Sequence, residues 1–189
     1  MKNIAIFASG SGTNAQQIAE YFRPSTVARV ALILSNRQDA YVLERAKNFG
    51  IPSLVFSRKD LYESNAILEV LQDYQIDYIV LAGFLWFVPE NILKSYPRRI
   101  INIHPALLPA HGGKGMYGEK VHQAVIRSGD KRTGITIHFV NDHYDEGEII
   151  FQDSFEVLPE DTPESIAQKV HELEYRHFPR VIEMVINKC

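Results

Sequence analysis

The chain has 189 residues, with 23 acidic and 20 basic side chains and a formal net charge of −3 at pH 7. A chain of this length is expected to form about one domain, and its 46% of hydrophobic residues is typical of a globular protein, which excludes disordered and fibrous classes. The net negative charge predicts no general attraction to nucleic acid or to an anionic membrane, so any phosphate has to be bound by a local feature.

In the N-terminal half, strand and helix patterns alternate. An apolar strand at 4–8 leads through a glycine-rich turn into a helix at 15–22. The further elements predicted in this half are a strand at 27–34, a helix at 40–49, a strand at 53–56, a helix at 61–74 and a strand at 78–81. Repeated βαβ units predict an α/β, Rossmann-like fold with a mostly parallel twisted sheet and helices on both faces. Ligands then bind at the carboxyl ends of the strands.

The C-terminal half begins with a strand at 100–103, followed by a loop at 104–117 that is longer than most connections and therefore a candidate functional loop. The remaining predicted elements are a helix at 118–128, strands at 134–140 and 148–157, and a last helix that starts near 162. Pro163 suits the first position of that helix. We expect residues 1–189 to form a single domain.

Neither metal sites nor membrane spans are predicted. Cys189 is the single cysteine and the last residue, so no disulfide framework or thiolate metal site is expected, and a reducing cytoplasm suits the chain. The sequence lacks the His and acid spacings of common metal motifs. The longest apolar run, 79–88, is too short to span a bilayer, and the N-terminus lacks the pattern of a signal peptide.

A glycine-rich turn at residues 10–15 reads Gly-Ser-Gly-Thr-Asn-Ala and lies between a predicted strand and a predicted helix. Free backbone N–H groups and the helix dipole at such a turn can bind phosphate without a lysine. Dinucleotide binding further requires an acid after the second strand, where this chain has Arg37, a residue better suited to a 2′-phosphate. An NADP-binding Rossmann protein and a purely structural turn therefore remain alternatives to a site for a terminal phosphate.

Two polar side chains, Asn102 and His104, lie on one face at the end of a predicted strand. An amide donor and an imidazole together suit attack on a carbonyl, because the amide can hold the developing oxyanion and the imidazole can carry a proton. An acidic turn at 141–148 could direct a carboxylate to His104, although the sequence does not choose which one. His138, in the preceding strand, reads as a core histidine.

These motifs together resemble the phosphoribosylglycinamide formyltransferases of purine synthesis, nearly from end to end. The most specific element is Asn-Ile-His-Pro-Ala-Leu-Leu-Pro at 102–109, followed by His-Phe-Val at 138–140 and Asp-Glu-Gly at 145–147. The resemblance implies transfer of a formyl group from 10-formyl-tetrahydrofolate to the amine of 5-phosphoribosylglycinamide, with no metal. Larger members of the superfamily, methionyl-tRNA formyltransferase and formyltetrahydrofolate deformylase, carry an additional domain, for which 189 residues leave no room.

The resemblance also implies roles for individual residues. Asn102 would hold the formyl oxygen, His104 would donate a proton, and Asp145 would raise the pKa of His104. The residues implied in binding the substrate phosphate and ribose are Gly12, Thr13, Asn14 and Glu174. The residues implied in folate binding are Arg58, Leu85, Trp86, Phe87, Val88, Asn102 and Val140. The phosphate site would lie in an N-terminal half of about 1–100, and the folate and catalytic sites in 101–189.

The chain departs from the family pattern near the folate tail, where Trp86 replaces an arginine found in many members. Arg58 or Lys59 is the alternative source of positive charge. Lys114 and Tyr117, in a longer loop than many members have, are candidates for substrate contacts. A formyltransferase for another amino sugar nucleotide stays open. We expect a cytoplasmic monomer or homodimer.

Overall fold

The computed structural model describes residues 1–188, so Cys189 lies outside the described residues. The seven strands are β1 (Lys2–Phe7), β2 (Ala28–Ser35), β3 (Ser53–Val55), β4 (Tyr78–Leu81), β5 (Ile100–His104), β6 (Arg132–Phe139) and β7 (Ile149–Glu156). The helices are α1 (Thr13–Phe22), α2 (Val42–Asn48), α3 (Arg58–Tyr62), α4 (Ala66–Asp73), α5 (Glu90–Ser95), α6 (Glu119–Ser128) and α7 (Pro163–Lys188).

A single sheet runs through the described residues in the order β3-β2-β1-β4-β5-β6-β7. The first five strands of this order are parallel, while β6 and β7 are antiparallel to their neighbours. The chain order reverses between β1 and β4, because β1 pairs with β2 on one side and with β4 on the other. Ligands of open α/β sheets bind beside such a reversal, at the carboxyl ends of the strands.

Alternate residues of β1 belong to hydrophobic cores on opposite faces of the sheet. Ile4 and Ile6 pack with residues of α1, α2, α6 and α7. Ala5 and Phe7 pack with residues of α3, α4 and α5. The predicted mostly parallel α/β sheet with helices on both faces is therefore confirmed.

One predicted helix is wrong in extent, since the helix expected at 61–74 is two helices, α3 and α4. Ser57 and Asp60 form a capping box that starts α3 before the predicted position. The Ser64 hydroxyl then donates to the Asp60 carbonyl (3.0 Å) and accepts from the Ala66 N–H (3.2 Å). One side chain thus satisfies the end of α3 and the start of α4, which separates them.

Other differences are small. The short helix α5, which begins after Pro89, was absent from the sequence-based prediction. Helix α7 begins at Pro163 as predicted, and Thr162 and Ser165 exchange side-chain to backbone hydrogen bonds at its start (3.0 and 3.2 Å). Within residues 1–188, no helix combines the length and the apolar character that crossing a bilayer requires.

Candidate active site

A cavity of about 630 Å³ lies where the carboxyl ends of β1, β4 and β5 meet. Ser9, directly after β1, joins two of these strand ends. Its N–H donates to the Gly83 carbonyl (3.0 Å), and its hydroxyl accepts from the Leu85 N–H (3.0 Å). Residues 113–118 and one face of α7 form other walls of the cavity. The sequence reasoning missed Ser9, although its position after a buried strand was a usable signal.

The glycine-rich turn at 10–15 forms one end of this cavity. Gly12 has a left-handed backbone (φ +73°) and precedes α1, whose N-terminus has no side-chain cap. The turn is held from outside, because Arg45 Nε donates to the Ser11 carbonyl (2.7 Å) and the Val42 N–H donates to the Gly10 carbonyl (3.1 Å). An uncapped helix N-terminus that opens into a cavity can bind an anion.

Three polar side chains from α1 and α7 meet beside that turn. Asn14 Nδ2 donates to Glu174 Oε2 (2.9 Å), and the same oxygen lies 2.9 Å from His171 Nδ1. The hydrogen bond to Glu174 raises the pKa of His171. Asn14 Oδ1 is buried and accepts no hydrogen bond from the described residues, so it is available to a ligand hydroxyl or N–H. His171 was missed in the sequence, although it lies one helical turn before Glu174.

Asn102 is fixed by its cross-strand neighbour His138, with which it pairs in the β5–β6 register. The His138 Nδ1 atom lies 2.9 Å from the Phe139 carbonyl, which can only accept, so Nδ1 carries the hydrogen. In the neutral ring Nε2 then accepts from the Asn102 amide (3.0 Å). His138 is therefore a buried histidine with both ring nitrogens bonded, and it orients the Asn102 amide at the cavity.

His104 is only 3% exposed, and its two ring nitrogens face different groups. Nε2 donates to the main-chain carbonyl of His111 (2.8 Å), and Nδ1 lies 3.5 Å from Asp145 Oδ2. Asp145 has a left-handed backbone (φ +56°), which is uncommon for residues other than glycine. Its Oδ2 also accepts from the Gly113 N–H (3.0 Å). Asp145 thus links His104 to the long loop.

The pKa of His104 is lowered, because burial penalises the charged ring. Asp145 and the His111 carbonyl act in the opposite direction and raise this pKa, but they do not offset burial. Asp145 thus acts in the direction that the resemblance implies, while the net shift of the His104 pKa is downward because burial is the larger effect. Burial acts to raise the pKa of Asp145, yet His138, His104 and the Gly113 N–H together lower it, so Asp145 is ionised at neutral pH.

Of the carboxylates in the acidic turn, Asp145 is the one that faces His104. Asp142 lies at the surface and pairs with His143 (Oδ1 to Nδ1, 3.0 Å). Glu148 pairs with Arg98. The structure thus identifies Asp145 as the carboxylate beside His104, which the spacing of the acidic residues alone did not.

The residues expected to bind folate are distributed over two neighbouring regions. Leu85 lines the main cavity. Phe87 packs on Tyr144 (ring centroids 4.9 Å apart) and lines a smaller adjoining cavity of about 400 Å³. Val88 is buried in the core, and Val140 packs against the same core, so neither side chain lines either cavity.

Trp86 belongs to an aromatic group with Phe56 and Phe84. The Arg58 guanidinium lies over the Trp86 ring (5.2 Å) and over the Tyr62 ring (5.3 Å). A positive charge is therefore present beside Trp86. Neither Trp86 nor Arg58 lines the main cavity, whose rim begins at Leu85.

Three further basic or aromatic candidates line the main cavity. Arg37 is bidentate with Asp39 (3.1 and 2.8 Å), so its charge is engaged. Lys114 lines both cavities, and Tyr117 carries the Lys120 ammonium over its ring (4.6 Å). The absence of a metal remains a prediction; among residues 1–188 there is no group of three His, Cys or acidic side chains placed to hold one.

Comparison with known proteins gives one answer. The formyl transferase family model matches residues 2–182. A phosphoribosylglycinamide formyltransferase of Bacillus subtilis (strain 168) is 38% identical, covering 98% of this chain and 95% of that protein. A chloroplastic phosphoribosylglycinamide formyltransferase of Arabidopsis thaliana is 42% identical over 96% of this chain, which spans only 64% of the plant protein's length.

Solved structures agree with the sequence matches. The crystal structure of glycinamide ribonucleotide transformylase 1 from Symbiobacterium toebii superimposes with a TM-score of 0.91 and 38% identity, covering 100% of this chain and 89% of that one. Sequence and fold agree. The chain therefore belongs to the formyl transferase family and, within it, to the phosphoribosylglycinamide formyltransferases.

Proposed function

We propose that the protein transfers the formyl group of 10-formyl-tetrahydrofolate to the amine of 5-phosphoribosylglycinamide. The observation that carries the proposal is that one cavity contains both an uncapped helix N-terminus and the Asn102, His104 and Asp145 side chains. A phosphate anchor and carbonyl chemistry in one cavity suit a phosphorylated amine that attacks a formyl group.

In this proposal Gly12, Thr13 and Asn14 bind the substrate phosphate. The free N–H groups at the start of α1 provide donors, and the helix dipole favours the negative charge. Glu174 accepts from a ribose hydroxyl, and the unpartnered Asn14 Oδ1 next to it supports a ligand in this position. The substrate amine then points along the cavity toward Asn102 and His104.

Asn102 donates an amide hydrogen to the formyl oxygen as it becomes an oxyanion. One of its N–H groups is used on His138, which leaves the second N–H for the substrate. An oriented donor of this kind in a water-poor site contributes about 3 kcal/mol of transition-state stabilisation.

His104 moves the proton. Because Nε2 carries a hydrogen bonded to a carbonyl, the neutral ring presents a lone pair at Nδ1. As the amine nitrogen bonds to the formyl carbon, Nδ1 accepts a proton from that nitrogen. It returns the proton to the folate nitrogen when the bond between that nitrogen and the formyl carbon breaks. Asp145 stabilises the transient imidazolium from 3.5 Å.

Folate binding is proposed along the rim formed by Leu85 and Phe87, with the main chain at Val88 and Val140 beside it. Apolar side chains on a cavity rim suit the stacking of a flat heterocycle. Arg58, held over the Trp86 ring, supplies positive charge for the carboxylates of the folate tail.

The two alternative functions are not favoured. Binding of the 2′-phosphate of NADP needs a free Arg37, whereas this guanidinium is paired with Asp39. The similar proteins are named for phosphoribosylglycinamide and not for another amino sugar nucleotide. The single domain with its two functional halves, the cytoplasmic location and the monomer or homodimer state stay predictions.

The experiment mixes the purified protein with 5-phosphoribosylglycinamide and a 10-formyl folate, and follows absorbance of the deformylated folate. We expect turnover with the wild type and a loss of at least about 100-fold in kcat for His104→Ala. His177→Gln is the control, because that histidine pairs with Asp153 away from the cavity (Nε2 to Oδ2, 2.8 Å).

A folded wild-type protein with no turnover on this substrate pair would refute the function. Turnover that is faster on a different amino sugar nucleotide would refute the substrate. Normal turnover by His104→Ala would leave the function standing and refute the proton-transfer role.

A further inference from the structure

A hydrogen-bonded pair of side chains, His111 and Asp130, joins the long loop to the segment that follows α6 at the edge of the active site. His111 Nε2 lies 2.6 Å from Asp130 Oδ2, and the two side chains are 16% and 35% exposed. The Ser128 hydroxyl lies 3.5 Å from the same ring nitrogen. The hydrogen bond from His111 lowers the pKa of Asp130, so the pair holds an ionised carboxylate at neutral pH. Neither side chain lines the main cavity.

The main chain of His111 faces the opposite way, into the site. Its carbonyl accepts the hydrogen bond from His104 Nε2 (2.8 Å). His111 has a left-handed backbone (φ +54°), a conformation that costs energy in a residue with a Cβ. Contacts on both sides therefore hold this strained residue, with the Asp130 carboxylate on its side chain and the His104 ring on its carbonyl.

The hydrogen bond to this carbonyl decides which nitrogen of His104 carries the hydrogen. While the carbonyl stays in place, Nε2–H is favoured and the Nδ1 lone pair faces Asp145. Without it, the neutral ring could place its hydrogen on Nδ1 and bond Asp145 directly, which would block that nitrogen as a proton acceptor. The other titratable groups that face His104 are His138 and His122.

We propose that His111 and Asp130 are positioning residues for His104, acting through the His111 carbonyl to keep the Nε2–H tautomer. The inference rests on the proposed function for its consequence in turnover, but the tautomer itself is a property of the protein alone. The competing explanation is that the pair only stabilises the loop.

The test uses Asp130→Asn, which keeps the shape of the side chain but removes its charge, in the full-length protein. His111→Asn is the second variant, because asparagine tolerates a left-handed backbone and lacks the ring nitrogen that contacts Asp130. The control is Asp153→Asn. It removes the charge beside His177, whose Nε2 lies 2.8 Å from Asp153 Oδ2 but makes no hydrogen bond; the two side chains have similar exposure (21% and 37%) and lie on α7 and β7.

The measurements are ¹⁵N NMR shifts of the His104 ring across a pH series, kcat and KM against pH, and thermal unfolding. In both variants at the loop we expect the His104 shifts to move from a single Nε2–H tautomer toward a mixture, and its titration midpoint to move to lower pH. We expect kcat to fall about fivefold with KM changed less than about twofold. The control variant keeps the wild-type shifts and kcat.

Unchanged His104 shifts and an unchanged midpoint in both loop variants, with only a lower unfolding temperature, would overturn the proposal. A changed tautomer supports it even if the protein fails to use 5-phosphoribosylglycinamide, because the NMR readout needs no substrate. The failure of the positioning role and the failure of the proposed function are therefore separate results.

Discussion

Replacing Gly12 by alanine tests whether the conformation of the glycine-rich turn at 10–15 depends on this one residue. Gly12 has φ +73°, where a residue with a Cβ is strained. A Cβ built there lies 2.4 Å from Val42 Cγ2 and 2.9 Å from Val42 Cα. A rotamer change could relieve only the first contact. The Val42 main chain cannot move freely, because its N–H donates to the Gly10 carbonyl (3.1 Å) and it starts α2.

The expected cost combines two effects. A left-handed alanine costs about 1–2 kcal/mol, and forcing a methyl group into a packed contact costs about 1–3 kcal/mol. We therefore expect Gly12→Ala to lower the free energy of unfolding by about 2–5 kcal/mol, and the unfolding temperature by at least about 4 °C for a domain of this size. The turn must also shift, so the KM for 5-phosphoribosylglycinamide should rise more than the KM for the folate.

Gly10→Ala is the matched control in the same turn. A Cβ at Gly10 has no atom within 4 Å, and its backbone is outside the left-handed region. Urea unfolding of the wild type and both variants gives the free energies, and initial rates give both KM values. Equal stability of the two alanine variants would refute the steric argument, and an unchanged KM for the ribonucleotide in Gly12→Ala would refute the phosphate site.

Four other changes have defined outcomes. Asn102→Ala should lower kcat about 100-fold with little change in either KM, because the donor acts on the oxyanion; a rise in KM alone would contradict this. Asp145→Asn should lower the pKa of His104 in an NMR titration, since the carboxylate raises that pKa. Burial lowers the pKa of His122 from 6.5, so as the pH falls the unfolded chain takes up that proton before the folded chain does. The free energy of unfolding therefore decreases below about pH 6.5. Urea unfolding at about pH 5.5 should show a smaller decrease for His122→Gln than for the wild type. Arg58→Gln should raise the KM for the folate without lowering kcat, and an effect on kcat would place Arg58 elsewhere in the reaction.

Much of the fold could be predicted because strand and helix periodicity reflects burial directly. The strands at 4–8 and 78–81 alternate with amphipathic helices, which is sufficient for a parallel sheet with two covered faces. The division between α3 and α4 could not be predicted from periodicity, because apolar spacing continues across it. It depends on one hydroxyl, Ser64, that bonds to both helices at once.

The sequence predicted several residues of the candidate site but not all of the contacts between them. The positions of Asn102 and His104 at a strand end follow from the sequence, because two-residue spacing places them on one face. Which acid faces His104 depends on the path of a turn in which Asp145 adopts a left-handed backbone, and spacing does not encode that path. The support from His138 and His171 comes from other elements and was missed as part of the site.

His104 shows why a set of neighbouring residue types does not by itself determine the protonation state of a side chain. A nearby carboxylate predicts a raised pKa, and Asp145 does act in that direction. Burial acts in the other direction and dominates, because the ring is 3% exposed and its charged form loses most of its hydration. A neutral resting histidine suits a reaction that begins by removing a proton from an amine, and the ionised Asp145 then favours the imidazolium only after that proton arrives.

The net charge of −3 also shows that the local environment decides how anionic substrates bind. A negatively charged protein can attract an anionic ligand only where local positive potential exceeds the average field. In this cavity that potential comes from the N-terminus of α1, from Lys114 and from His171, whose pKa is raised by Glu174. Glu174 offsets part of the positive charge, yet its second oxygen remains an acceptor for hydroxyl groups. Under the proposed function, a phosphate joined to a ribose is favoured, because its phosphate lies at the start of α1 while a ribose hydroxyl donates to Glu174.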